Sequence, residues 1–204
     1  MPHADSALIP PGLDKSAFWN HVYEQLGVLL EGQRNWVTNL ANASSLIYSS
    51  LLAFDPFFGH GERTVNWCGF YLASHLLPSP RLSRPVTSLG DSDGTNRLLL
   101  GPFCGKPACQ FINTTPGKAR GVCADAFLKR ETVLVPDVDA YPGHIACDGE
   151  TKSEIVCPLI LNVNGTEVAL GVLDLDCLAL DGFTEEDKEG LTRIAELIVK
   201  ACDW

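Results

Sequence analysis

The stretch EIVCPLILNVNGTEVALGVLD, residues 154–174, decides the fold. Two apolar β-type runs, 154–162 and 167–174, are joined across 163–166 by Asn164-Gly165, a pair that tolerates the positive φ angles of a tight hairpin turn. An antiparallel sheet must form around such a hairpin. Upstream, apolar runs predict strands at 66–72 (NWCGFYL), 97–100, 108–112 and 132–135, a short helix over 121–130 and a long loop over 136–152. Phe18, Val22, Leu26, Leu29 and Leu30, then Trp36, Leu40, Leu46 and Leu51, recur mostly at three to four residues. This predicts two amphipathic helices within 14–54, separated at Gly32. Downstream, Thr184 is expected as an N-cap, with Asp187 three positions on as its capping-box partner, opening a terminal helix. Residues 78–94 hold three prolines, four serines and two glycines without apolar periodicity and read as a surface insertion. The order predicts an α+β fold: one domain over 1–204, with a central antiparallel sheet flanked by N- and C-terminal helices and a core over 66–191.

The 204 residues carry 25 acids against 15 bases, a formal charge of -10, with no basic run. Phosphate backbones and anionic lipid are thereby repelled, so no nucleic-acid or membrane partner is expected. The first residues lack the basic start and apolar stretch of an export signal, and no segment approaches the roughly 20 apolar residues of a membrane span. A cytoplasmic location follows as the expectation, with the eight cysteines reduced rather than forming a disulfide framework.

Those cysteines differ in context. Cys68 and Cys157 lie in apolar strands and read as small core residues. Cys147 sits in the polar loop YPGHIACDG, where the backbone amides of Ile145, Ala146 and Cys147 offer stabilisation to a thiolate or an anionic oxygen. Cys109 ends GKPAC. Cys123 falls where a helix starts, a position that lowers a thiol pKa through the helix dipole. Structural zinc sites usually show two C-x2-4-C pairs, whereas Cys104-x4-Cys109, the closest spacing, stands without a second, so no metal is expected. Period two puts Asp174 and Asp176 on one strand face, near Glu154 at the head of the neighbouring run. They either face water or hold something cationic. Trp67 and Tyr71 share a face and line a pocket or simply pack. His144 is a minor candidate for pairing with Cys147.

Taken together, NWCGFYL (66–72), LGPFCGKPAC (100–109), GKARGVC (117–123), LVPDVDAYPGHIACDGETKSEIVCPLI (134–160) and GVLDLD (171–176) resemble the free methionine-R-sulfoxide reductases, enzymes of GAF fold. The departures are Ala124, where the family commonly has Gly, and a longer 113–119 stretch. The resemblance implies three redox cysteines, Cys109, Cys123 and Cys147, acids at Glu154, Asp174 and Asp176, and an aromatic pocket at Trp67 and Tyr71. It also implies the R epimer and, since related proteins are often dimers, a homodimer.

The substrate so implied is a zwitterion with a polar S=O and a terminal methyl. Glu154 and Asp174 would hold its ammonium, Trp67 and Tyr71 its methyl, and backbone amides at Ile145 and Ala146 its oxygens. Cys147 would attack the sulfur with Asp176 as acid. Cys109 would then form a disulfide that thioredoxin reduces at the expense of NADPH, with Cys123 as a relay and no bound cofactor. The competing reading is a non-catalytic GAF module that binds a small molecule or senses redox state.

Overall fold

A computed structural model describes residues 3–77, 96–145 and 147–204. The expected insertion at 78–94 lies outside them. Helix α1 (Lys15–Leu30) starts where the Asp14 side chain accepts from Ala17 N at 2.8 Å, and α2 (Trp36–Leu52) starts on the equivalent Asn35 cap. Strands β1 (Val65–Ala73), β2 (Arg97–Gly105) and β3 (Phe111–Asn113) follow, then α3 (Val122–Lys129) and β4 (Val133–Val135). The hairpin β5 (Ser153–Val163) and β6 (Thr166–Cys177) precedes α4 (Glu185–Ala201). One six-stranded antiparallel sheet results, in the order β3-β2-β1-β6-β5-β4. The α+β architecture read from the sequence is the one observed.

Two strands differ from expectation. β2 runs five residues past Leu100 because its ladder with β1 resumes beyond an irregularity at Gly69/Tyr71. β3 begins at Phe111 instead of Ala108, and pairs only with Arg97–Leu99. Pro102 therefore meets no partner on that side and needs no N–H. Residues 106–109 leave the sheet and line one wall of the site.

Side-chain alternation splits the sheet into two faces. Cys68, Phe70 and Leu72 of β1, Ile155 and Cys157 of β5, and Leu173, Leu175 and Cys177 of β6 pack with α1, α2 and α4 into the larger core. Trp67, Tyr71, Val156 and Val172 face the other way, against α3. α1 and α4 approach closely because Gly190 has no Cβ; one would collide with the Trp19 ring. At that contact Asp187 is fully buried. It takes an ion pair from Lys15, the Trp19 Nε1 hydrogen at 2.8 Å and the Thr184 N–H at 2.7 Å. The expected capping box is thus also a buried interhelical tie.

Candidate active site

The face turned from the helical layer carries a cavity of about 200 Å³. Its floor is set by cross-strand pairing: Glu154 of β5 stands opposite Asp176 of β6, Trp67 of β1 lies on the far side of Asp176, and Asp174 stands opposite Val156 and Gly69. Burial forces the chemistry here. Glu154 and Asp174 are each only 6% exposed. Loss of water pushes the Glu154 carboxyl up, against the pull of the His144 imidazole. Asp174 is driven well above the carboxylate range by burial and then by Glu154, and Asp176 by burial and then by Asp174 and Asp148. Both aspartates line the cavity, Asp174 buried and Asp176 half-buried.

Trp67 and Tyr71 also line it, their rings stacked with centroids 5.8 Å apart, while Phe103 stacks on Trp67 at 5.5 Å. This layering depends on Gly69, whose absent Cβ would strike both Phe103 and the Trp67 ring. The aromatics therefore form wall and core at once. Trp67 Nε1 and Asp174 Oδ1 are buried without a hydrogen-bond partner among the described residues. Such orphans are costly, and a donor and an acceptor left unmatched in a cavity fit a zwitterionic ligand.

The rim holds the thiols. Cys109, half-buried just before β3, and Cys147, exposed in its loop, are joined as a disulfide with Cα atoms 5.9 Å apart. This is the pair that the resemblance implied would form a disulfide, and the other six cysteines are free thiols. Tyr71 Oη donates to Cys109 O at 3.0 Å, so the aromatic wall also fixes the cysteine loop. Asn66 Nδ2 reaches Asp148 Oδ2 at 3.2 Å and Thr151 Oγ1 at 3.1 Å, pinning the Cys147 loop to β1. Ile145 is at the cavity and 54% exposed; Ala146 lies outside the described residues.

Cys123 behaves differently from its sequence-based expectation. It does sit at the start of α3, behind Gly121, but its thiol is pushed well up, first by burial and then by Asp174 and Glu154. Its Sγ donates to Asp174 Oδ2 at 3.2 Å. A half-charge of helix dipole does not offset two carboxylates in a dry site. His144 likewise turns from Cys147 to Glu154, Nε2 to Oε2 at 3.3 Å, which raises the imidazole pKa. Asn66, Lys106, Arg120, Asp148 and Thr151 line the cavity without having been singled out in the sequence. Only the adjacency of Asp148 to Cys147 hinted at one of them.

The pattern of the GAF domain matches residues 64–202. Free methionine-R-sulfoxide reductase of Saccharomyces cerevisiae is 44% identical over 202 residues, covering 98% of this chain and 94% of that protein. The chain belongs to the free methionine-R-sulfoxide reductase family. The Escherichia coli member is 32% identical over 188 residues, covering 92% of this chain and 90% of its own. A solved member from Neisseria meningitidis, in complex with its substrate, superposes with a TM-score of 0.71 at 33% identity, covering 95% and 93% of the two chains. A reductase of this family uses no prosthetic group. The disulfide-linked pair Cys109 and Cys147 lies at the cavity floored by these acids.

Proposed function

We propose that this chain reduces free methionine-R-sulfoxide with Cys147 as nucleophile and Cys109 as resolving thiol. The observation that carries the reading is the Cys109–Cys147 disulfide at the rim of the acid-floored cavity. A pure binding module would have no use for a redox pair at that place.

In the reduced protein the Cys147 thiolate attacks the sulfoxide sulfur while Asp176, held protonated by burial and its neighbours, gives a proton to the oxygen. Methionine leaves and Cys147 is left as sulfenic acid. Cys109 attacks that sulfur, water departs, and the disulfide forms. An external dithiol supplies two electrons by exchange through a mixed disulfide, which returns both thiols. Thioredoxin, kept reduced by NADPH, is the donor we propose. The substrate ammonium sits between Glu154 and Asp174, its methyl against Trp67 and Tyr71, and backbone amides around Ile145 and Ala146 receive its oxygens. Cys123 stays a thiol in this scheme, since a buried proton donor to Asp174 is poorly placed to relay electrons.

None of the described helices is long and apolar enough to cross a membrane. The cytoplasm, where thioredoxin is reduced, is the compartment proposed, and a homodimer the assembly. The test is NADPH consumption with thioredoxin and thioredoxin reductase, comparing R and S epimers of free methionine sulfoxide with a blank. Oxidation with the S epimer alone, or with neither, rejects the activity.

A further inference from the structure

Cys123, Glu154 and Asp174 come from α3, β5 and β6, yet one ligand-capable atom of each lies within 4.8 Å of the other two. Cys123 Sγ is 3.2 Å from Asp174 Oδ2 and 3.9 Å from Glu154 Oε1. A tetrahedral zinc ion with Zn–S of about 2.3 Å and Zn–O of about 2.1 Å holds neighbouring ligand atoms about 3.4–3.6 Å apart. The cluster needs only small side-chain shifts to reach that spacing. Asp174 is buried with Oδ1 unpartnered among the described residues, so it has capacity for a cation beyond the Cys123 thiol. His144 meets the second oxygen of Glu154 at 3.3 Å, the placement of an outer group that orients a ligating carboxylate. The cavity leaves a fourth position open.

We infer that Cys123, Glu154 and Asp174 form a binding site for a borderline-soft divalent ion of the zinc class, open to the substrate cavity. A thiol among the donors favours zinc over magnesium or calcium, which select oxygen alone. The Cys123 proton passes to solvent as the ion binds. Zinc would claim the two carboxylates assigned to the substrate ammonium and so block the reductase; this consequence, though not the site itself, rests on the proposed function.

The experiment uses the full-length disulfide form, in which Cys109 and Cys147 cannot ligate, freed of metal by a chelator and titrated with Co2+. A thiolate-to-cobalt charge-transfer band should grow to one equivalent and be abolished by one equivalent of Zn2+. It should vanish in Cys123→Ser, persist in Cys104→Ser, and need at least roughly tenfold more Co2+ in Asp174→Asn. Absence of the band in the wild type overturns the site without recourse to any variant. So does a band that survives in Cys123→Ser. Methionine, which keeps the ammonium, should compete with Co2+. A cobalt site that saturating methionine leaves undisturbed upholds the metal site and rejects the ammonium-binding part of the proposed function.

Discussion

Glu154 and Asp176 stand directly opposite each other across the β5–β6 ladder, both raised above the carboxylate range by burial, yet with different neighbours. Glu154 has a histidine at 3.3 Å to stabilise its charge, whereas Asp176 has only Asp174 and Asp148 to oppose it. One is set to bind a cation and the other to keep its proton. Asp176→Asn should therefore lower kcat by about 10²–10⁴ with a smaller change in KM. Steady-state kinetics with free methionine-R-sulfoxide decides this. A kcat within a few-fold of wild type removes Asp176 as the acid.

The two rim cysteines should separate in a single turnover. Cys147→Ser is expected to release no methionine, because a hydroxyl is not ionised at neutral pH. Cys109→Ser should release about one methionine per enzyme and then stall as sulfenic acid. Rapid-quench amino-acid analysis measures both. A burst from the first variant and none from the second would exchange their roles.

Acylation of the substrate removes the charge that Glu154 and Asp174 are proposed to bind. A buried charge without its partner costs about 3–5 kcal/mol, so N-acetyl methionine-R-sulfoxide should lose roughly 10²–10⁴ in kcat/KM. Glu154 is pushed up to about 7, so the discrimination should shrink below that pH as the carboxyl becomes neutral without help from a ligand. Glu154→Gln and Asp174→Asn should lose activity on the free amino acid. Equal rates on both substrates at pH 8 would make the acid cluster structural.

The same carboxyls bear on stability. A group whose folded pKa is raised contributes stability in full below its unfolded pKa and loses it as pH rises through the folded value. For Glu154 that window runs from about 4 to about 7. His144, also raised, acts in the same sense. The ligand-free protein should lose stability from pH 5 to pH 7, by up to about 1.4 kcal/mol per pH unit from Glu154. Urea unfolding of wild type and Glu154→Gln compares the slopes. The variant's should be the shallower, and parallel lines would show that Glu154 holds no extra proton in the fold.

The parts of this molecule legible in the sequence are those fixed locally. Asn164-Gly165 sets the β5–β6 register, with Asn164 and Gly165 both at positive φ, and Thr184 with Asp187 sets the start of α4. Period two correctly put Asp174 and Asp176 on one face, and the loop context of Cys147 correctly marked it as unlike the strand cysteines. What spacing did not reveal came from long-range meetings. Cys123 lies 31 and 51 positions from the acids that raise its pKa, so a local helix-dipole argument had the wrong sign. The ligand-spacing argument against metal has the same blind spot, because it registers only donors close in sequence. The late start of β3 also depended on contacts made elsewhere, through Tyr71 and the Cys109 carbonyl.

Strands β1, β5 and β6 answer to two masters in alternate letters. Phe70, Ile155 and Leu175 serve the helical layer, while Trp67, Glu154 and Asp176 serve the cavity. A substitution at one letter leaves its neighbour's environment nearly intact, so substrate preference can drift while the scaffold is held constant. A single inserted residue has the opposite effect. It would transpose the two texts, sending acids into the helical core and aliphatics into the cavity, and forfeit fold and chemistry in one step.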